Sequence, residues 1–141
     1  MGFEIGCHSM THAYLAGLSE KELKVEVLES KDKLEQIIGH RVNHFSCPGG
    51  RWSNSVARVA REAGYATVAT SRVGTNSARS NPFCLSRVAI LRELAPGDFA
   101  QVCRERGLEV QRFVQFLRGA AQRALGDARY DRLRGVWLRR S

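Results

Sequence analysis

Apolar and polar positions change period several times along the chain, and each change marks an element. Phe3-Glu4-Ile5-Gly6 alternates with the period of two that suits the end of a strand, and it runs directly into the polar stretch Cys7-His8-Ser9-Met10-Thr11-His12. Ser19 followed by Glu22 forms a capping box. Leu23, Val27, Leu34, Ile37 and Ile38 then recur near the helical period until Gly39 supplies a left-handed stop, so residues 20–38 are predicted as an amphipathic helix. Val42 to Cys47 reads as a second short strand closed by Pro48-Gly49-Gly50. Ser53-Asn54-Ser55 offers caps for a helix running to Gly64. Ala66 to Thr70 reads as a third strand. Strand, helix, strand, helix, strand with short connections predicts parallel strands joined by crossover helices, an α/β organisation.

Residues 71–82 are rich in Ser, Asn, Arg and Gly and read as a loop, and Cys84 to Leu91 is a candidate for one more strand. Beyond it the signal turns helical. Val110, Phe113, Val114, Leu117, Ala121, Ala124 and Leu125 fall on one side of a helix, while Arg112 and Arg118 project elsewhere. Tyr130, Leu133 and Trp137 repeat the pattern in a shorter, Arg-laden helix after Gly126. These breaks divide the chain into an α/β domain at 1–95 and an Arg-rich helical extension at 96–141.

Composition narrows the class of molecule. With 141 residues, 43% of them hydrophobic and 26% charged, the chain suits one modest folded core and neither a disordered nor a fibrous protein. No run of ~18 apolar residues is present to span a membrane. The start lacks the basic and apolar regions of a signal peptide, so a chain truly beginning at Met1 is expected in the cytoplasm. Charge is distributed unevenly. Residues 1–70 balance four Lys and four Arg against eight acidic residues, whereas residues 71–141 carry fourteen Arg against six. Residues 104–140 alone hold ten Arg against four acidic residues, which admits an Arg-rich binding module for nucleic acid or an anionic surface; a solvated helical face accounts for the same composition, and nucleic acid is the less favoured partner. Cys7, Cys47, Cys84 and Cys103 form no CxxC pair and no compact disulfide framework, and they read as packed thiols.

His8 and His12 are the sharpest chemical feature. Two imidazoles four residues apart, set just after a strand, can converge on one divalent ion, and neutral ring nitrogens suit zinc and related metals. The same spacing also occurs in surface or capping residues, and a catalytic zinc needs a third protein ligand. A structural site recruiting Cys7 or Cys47 beside the two His is chemically sound but fits no common zinc-module spacing. Pro48-Gly49-Gly50 ends the next strand, where missing side chains let backbone approach a ligand and an exposed N–H can hold an oxyanion; an ordinary Pro-Gly turn is the plainer reading. Trp52, just beyond, suits either the apolar wall of a sugar groove or a partly buried core position.

Gly2 to His12 resembles the second motif of the polysaccharide deacetylases, the NodB-like members of carbohydrate esterase family four, whose H-[ST]-x-x-H supplies two metal ligands. Phe45-Ser46-Cys47-Pro48-Gly49-Gly50 resembles their third motif, and Glu62-Ala63-Gly64-Tyr65 a helix end of the same family, so the resemblance runs over roughly residues 2–91. It implies the later strands and helices of a distorted, partial (β/α) barrel followed by a helical tail. It also implies a divalent metal, zinc by its ligands, held by an Asp and two His and used to cleave an N-acetyl amide on an amino-sugar polymer. Carried onto this sequence, His8 and His12 are the metal ligands, the Gly49 amide an oxyanion donor, and Pro48, Gly50 and Trp52 the substrate-binding floor.

Departures from the pattern matter equally. The Asp pair of the first family motif, which supplies the base and the third ligand, is not in this sequence, and Asp98 and Glu93 lack the context to replace it. Ser46 stands where the family's third motif usually opens with Arg. No His follows His44 to supply the late general acid, and Arg87 in Leu85-Ser86-Arg87 lies only near that position. An N-terminally truncated deacetylase, inactive alone and completed by its missing half or by another chain, is therefore expected, with open strand edges that favour aggregation.

Overall fold

A computed structural model describes residues 2–90, 92 and 94–126. The chain divides into two compact units, Met1–Ala89 and Ile90–Ser141.

The first unit is a three-stranded parallel sheet with helices packed against it. Helix α1, residues 20–38, starts at the expected capping box: Ser19 accepts from the Glu22 amide while the Glu22 carboxylate accepts from the Ser19 amide at 2.8 Å. It is not uniform. Glu20–Lys24 and Ser30–Ile38 are α-helical, but Val25–Glu29 between them forms a π-helical turn, and the helix stops at Gly39 with φ 74°. Strand β1, His44–Ser46, follows, then a tight turn at Pro48–Gly50 and helix α2, Asn54–Glu62, whose N-cap Ser53 accepts from the Val56 amide. Strand β2 is Thr67–Val73 and β3 is Leu85–Arg87, in sheet order β1-β2-β3.

Register runs His44 to Thr67, Phe45 to Val68 and Ser46 to Ala69, all parallel. Between β2 and β3 it shifts: Ala69 faces Leu85 while Val73 faces Arg87, so β2 bulges around Ser71. Thr70 stitches the irregularity, its hydroxyl donating to the Leu85 carbonyl at 2.9 Å and its carbonyl accepting from Arg87 Nε at 2.6 Å. The alternating stretch expected as a strand at residues 3–6 forms none; the residue after it, Cys7, makes one bridge, to Phe45, held by Cys7 N–H to the His44 carbonyl (2.8 Å) and Ser46 N–H to the Cys7 carbonyl (2.9 Å).

One face of the sheet carries the core. Phe45 and Val68 meet Leu23 and Val27 of α1 and Val56, Val59 and Ala60 of α2, with the Phe45 and Tyr65 rings 5.3 Å apart. Since strand side chains alternate, His44, Ser46, Thr67 and Ala69 point to the other face. A polar pair pins the end of α1 to the start of β1: Lys31 contacts Glu35 and donates to the Val42 carbonyl at 2.8 Å, and Glu35 accepts the Val42 amide at 2.7 Å.

The second unit contains helices α3, Pro96–Cys103, and α4, Leu108–Leu125. Most of the apolar stripe expected on α4 is exposed, with Val110 at 68% and Phe113 at 61%. The second Arg-laden helix expected around Tyr130, Leu133 and Trp137 lies outside the described residues, as does Glu93.

Candidate metal and substrate site

The two sequence motifs sit at the C-terminal ends of adjacent parallel segments, where α/β folds place their reactive loops. His8 follows the Cys7 bridge by one residue, and its Nδ1 lies 2.7 Å from the Ser46 carbonyl and 2.6 Å from Ser46 Oγ at the end of β1. A carbonyl can only accept, so Nδ1 carries the proton, which leaves the Nε2 lone pair of the neutral ring available to a cation. His12 returns beside it: the ring centroids are 5.0 Å apart, in an edge-on arrangement at 62°. Bringing the rings together requires an unusual backbone. Ser9 (φ 69°) and His12 (φ 63°) both occupy the left-handed region without being glycine. Ser9 Oγ accepts the His12 amide at 3.0 Å.

The loop is held from beneath by Glu26. Its buried carboxylate accepts the Met10 amide (2.9 Å), the Thr11 amide (3.0 Å) and the Thr11 hydroxyl (2.5 Å). Burial pushes this carboxyl up, but donors from Thr11, Met10 and Ser9 outweigh it and hold the group below its ordinary value. Among the described residues no group of three His, Cys, Asp or Glu is placed to share one ion. The His pair thus fits two coordination positions, and no third protein ligand accompanies it there. His44 has both nitrogens engaged, Nδ1 with Thr67 Oγ1 and Nε2 with Glu4, each at 2.8 Å. Cys7 turns its sulfur inward to Ser30 Oγ at 3.2 Å, and burial pushes the Cys47 thiol up to about 12, which keeps it an unreactive core group.

Gly49 and Gly50 are sterically demanded. Gly49 (φ 57°) is exposed beneath the ring of Tyr14, and a Cβ there would stand 2.7 Å from Tyr14 Cε1. Gly50 (φ 66°) lies against the β2 bulge, where a Cβ would fall 1.4 Å from Ser71 Oγ and 2.4 Å from its backbone nitrogen. The Gly50 amide closes the turn on the Cys47 carbonyl at 2.8 Å, and Ser71 Oγ donates to the Gly49 carbonyl at 3.1 Å. Pro48 is buried. Arg51 stacks on the Tyr14 ring at 3.8 Å. Trp52 is half-buried against the core and donates its indole N–H to the Phe83 carbonyl at 2.7 Å.

A sequence profile of the polysaccharide deacetylases matches residues 1–68, which include His8, His12 and the whole Pro48–Gly50 turn. Over just under half of its length the chain is thus similar to the polysaccharide deacetylases. A peptidoglycan-N-acetylglucosamine deacetylase of Bacillus cereus is 37% identical over 67 residues, covering 48% of this chain and 31% of that protein. The structure of a Streptococcus pyogenes deacetylase in complex with acetate superposes with a TM-score of 0.65 at 25% identity, over 68% of this chain and 42% of that one. A polysaccharide deacetylase structure from Bacillus cereus gives 0.62 at 25% identity, over 70% and 31%. The chain therefore spans about a third of the length of the curated relatives it matches. Its three parallel strands and packed helices are part of the family's α/β barrel.

Several residues that shape this candidate site escape motif reading. Glu26 and Ser30 carried a legible signal, because polar residues there interrupt the apolar helical stripe Leu23, Val27, Leu34. Tyr14 and Ser71 carried none: their roles arise from backbone brought close only by folding. Ser46, marked in the sequence as a departure, proves to be the partner of His8. No helix among the described residues is long and apolar enough to cross a membrane.

Proposed function

We propose that this chain contributes the two-histidine and turn portion of a metal-dependent deacetylase that hydrolyses N-acetyl groups of an amino-sugar polymer. The observation that carries the reading is the convergence of His8 and His12 with His8 Nδ1 committed to Ser46, in the stretch that matches the deacetylase family. The name of the Bacillus cereus relative and the acetate bound to the Streptococcus pyogenes structure agree with it, acetate being what N-acetyl hydrolysis releases.

In this reading His8, through Nε2, and His12 hold a divalent cation, for which two neutral imidazoles favour zinc. Such a cation, when bound, polarises a carbonyl oxygen and acidifies water. The chain's own residues do the rest of the work assigned to it. Ser46 fixes the His8 tautomer, the N–H of the exposed Gly49 faces the oxyanion that develops on the acetyl carbonyl, and Gly50 lines the floor with Trp52 as wall, the buried Pro48 holding the turn from beneath and not meeting substrate itself. Among the described residues no Asp, Glu or Cys joins the His pair as a third ligand. The chain by itself is accordingly inactive in this reading, and the remainder of the barrel, on the same or another polypeptide, supplies that group.

Zinc titrated into the full chain by calorimetry should bind weakly, with the heat abolished in His12→Ala. Addition of zinc or cobalt and an N-acetylglucosamine oligomer should release no acetate above that variant. Equal zinc binding by wild type and His12→Ala would remove the cation site, and acetate release by wild type alone would show that the chain is complete without a further acidic group.

A further inference from the structure

We propose that Glu26 is a positioning residue for the His8–His12 pair, acting through the loop backbone without touching either ring; the link to a cation rests on the function proposed above. Three observations converge on it. The first is stoichiometric: a carboxylate at 6% exposure accepts three hydrogen bonds, from Met10 N–H, Thr11 N–H and Thr11 O–H, all within the two residues separating Ser9 from His12. The two amides belong to backbone that has no sheet or helix partner, so the carboxylate substitutes for secondary structure.

The second observation is strain. Ser9 and His12 hold φ of 69° and 63°, a conformation that costs a side-chain-bearing residue energy and persists only where surrounding contacts over-determine it. Glu26 clamps the peptide units lying between the two strained residues. Releasing that clamp lets both return toward ordinary backbone, and the His12 ring then leaves His8.

The third is the deformation of α1. The π-helical turn Val25–Glu29 falls at Glu26 itself, and its displaced carbonyls are taken up by side chains: Ser30 Oγ lies 2.6 Å from the Glu26 carbonyl and 3.2 Å from that of Val27, which also accepts the Tyr65 hydroxyl at 3.2 Å. Cys7, one residue before His8, donates its thiol to the same Ser30 Oγ. A helix turn distorted at one residue, and tied on both sides to the segment bearing the imidazoles, places the Glu26 carboxylate under the loop.

The test uses Glu26→Leu in the full chain, which keeps much of the side chain's size but leaves the Met10 and Thr11 N–H groups without their acceptor. Two readouts separate this proposal from the one it rests on. In the metal-free protein, the nuclear Overhauser contact between the His8 and His12 rings, expected in wild type from their 5.0 Å separation, should be lost in Glu26→Leu. Zinc affinity should fall roughly 10- to 100-fold, the range for loss of an outer-shell partner of a metal ligand. Val59→Ala serves as the control for general destabilisation: its melting temperature should fall while ring contact and zinc affinity stay at wild-type values. A Glu26→Leu protein that keeps the ring contact overturns the positioning role. Loss of the ring contact with no wild-type zinc binding upholds it and fails the cation reading instead.

Discussion

At the scale of single residues, the site is shaped by glycines whose reasons differ. Gly64 has φ 76° with open space where a Cβ would stand, so alanine there meets only the conformational cost, about 1 kcal/mol. Gly50 shares the sign of φ but presses on Ser71, whose backbone nitrogen cannot rotate away as a side chain can. Gly50→Ala should therefore destabilise by about 3 kcal/mol or more, measured as a shift in the urea midpoint at unchanged slope, against about 1 kcal/mol for Gly64→Ala. Equal losses at the two positions would mean that the turn and the β2 bulge move apart freely. The same contact explains why the third-motif turn lies where it does: the bulge at Ser71 lets β2 lean against a residue with no side chain.

At the scale of elements, α1 shows how one residue type is worth different amounts in different surroundings. Ser19 caps an exposed helix start, where water replaces any lost partner; Ser19→Ala should cost about 1 kcal/mol. Ser30 is buried and faces carbonyls released by the π turn, which have no water to turn to. Ser30→Ala should cost more, about 2 kcal/mol, because buried acceptors are stranded. Paired thermal melts decide it, and a smaller loss at Ser30 would show that the π turn relaxes to regular α-helix. The 3.6-residue period made the helix legible over 20–38 in sequence, but not the π turn, whose cause is long-range: it accommodates Ser30 between Cys7 and the Glu26 carbonyl.

At the scale of the whole molecule, the sheet's order leaves two strand edges. Among the described residues β1 is paired on its outer side only at Cys7, and β3 has no further neighbour. Parallel sheets tolerate such edges poorly, since unpaired backbone groups template association. Expressed by itself, the chain should form concentration-dependent oligomers in gel filtration with light scattering. A monomer persisting at high concentration with a cooperative melt would show that the described edges are adequately protected.

What the sequence determined by itself was local or periodic: the capping box at Ser19, the stop at Gly39, the α/β alternation, and the HxxxH and Pro-Gly-Gly motifs that match the deacetylase family. Each is written in neighbouring residues, because caps, turns and helical stripes depend on contacts within a few positions. Tertiary structure alone decided the rest. Ser46 met His8 across 38 positions, Tyr14 covered Gly49, Ser71 closed on Gly50, and Glu26 took hold of the His loop. Residues 3–6, whose alternation reads as a strand, lie outside the sheet, the next residue, Cys7, making the one bridge, because alternation describes a strand's two faces and says nothing of whether a neighbour is present to accept its hydrogen bonds.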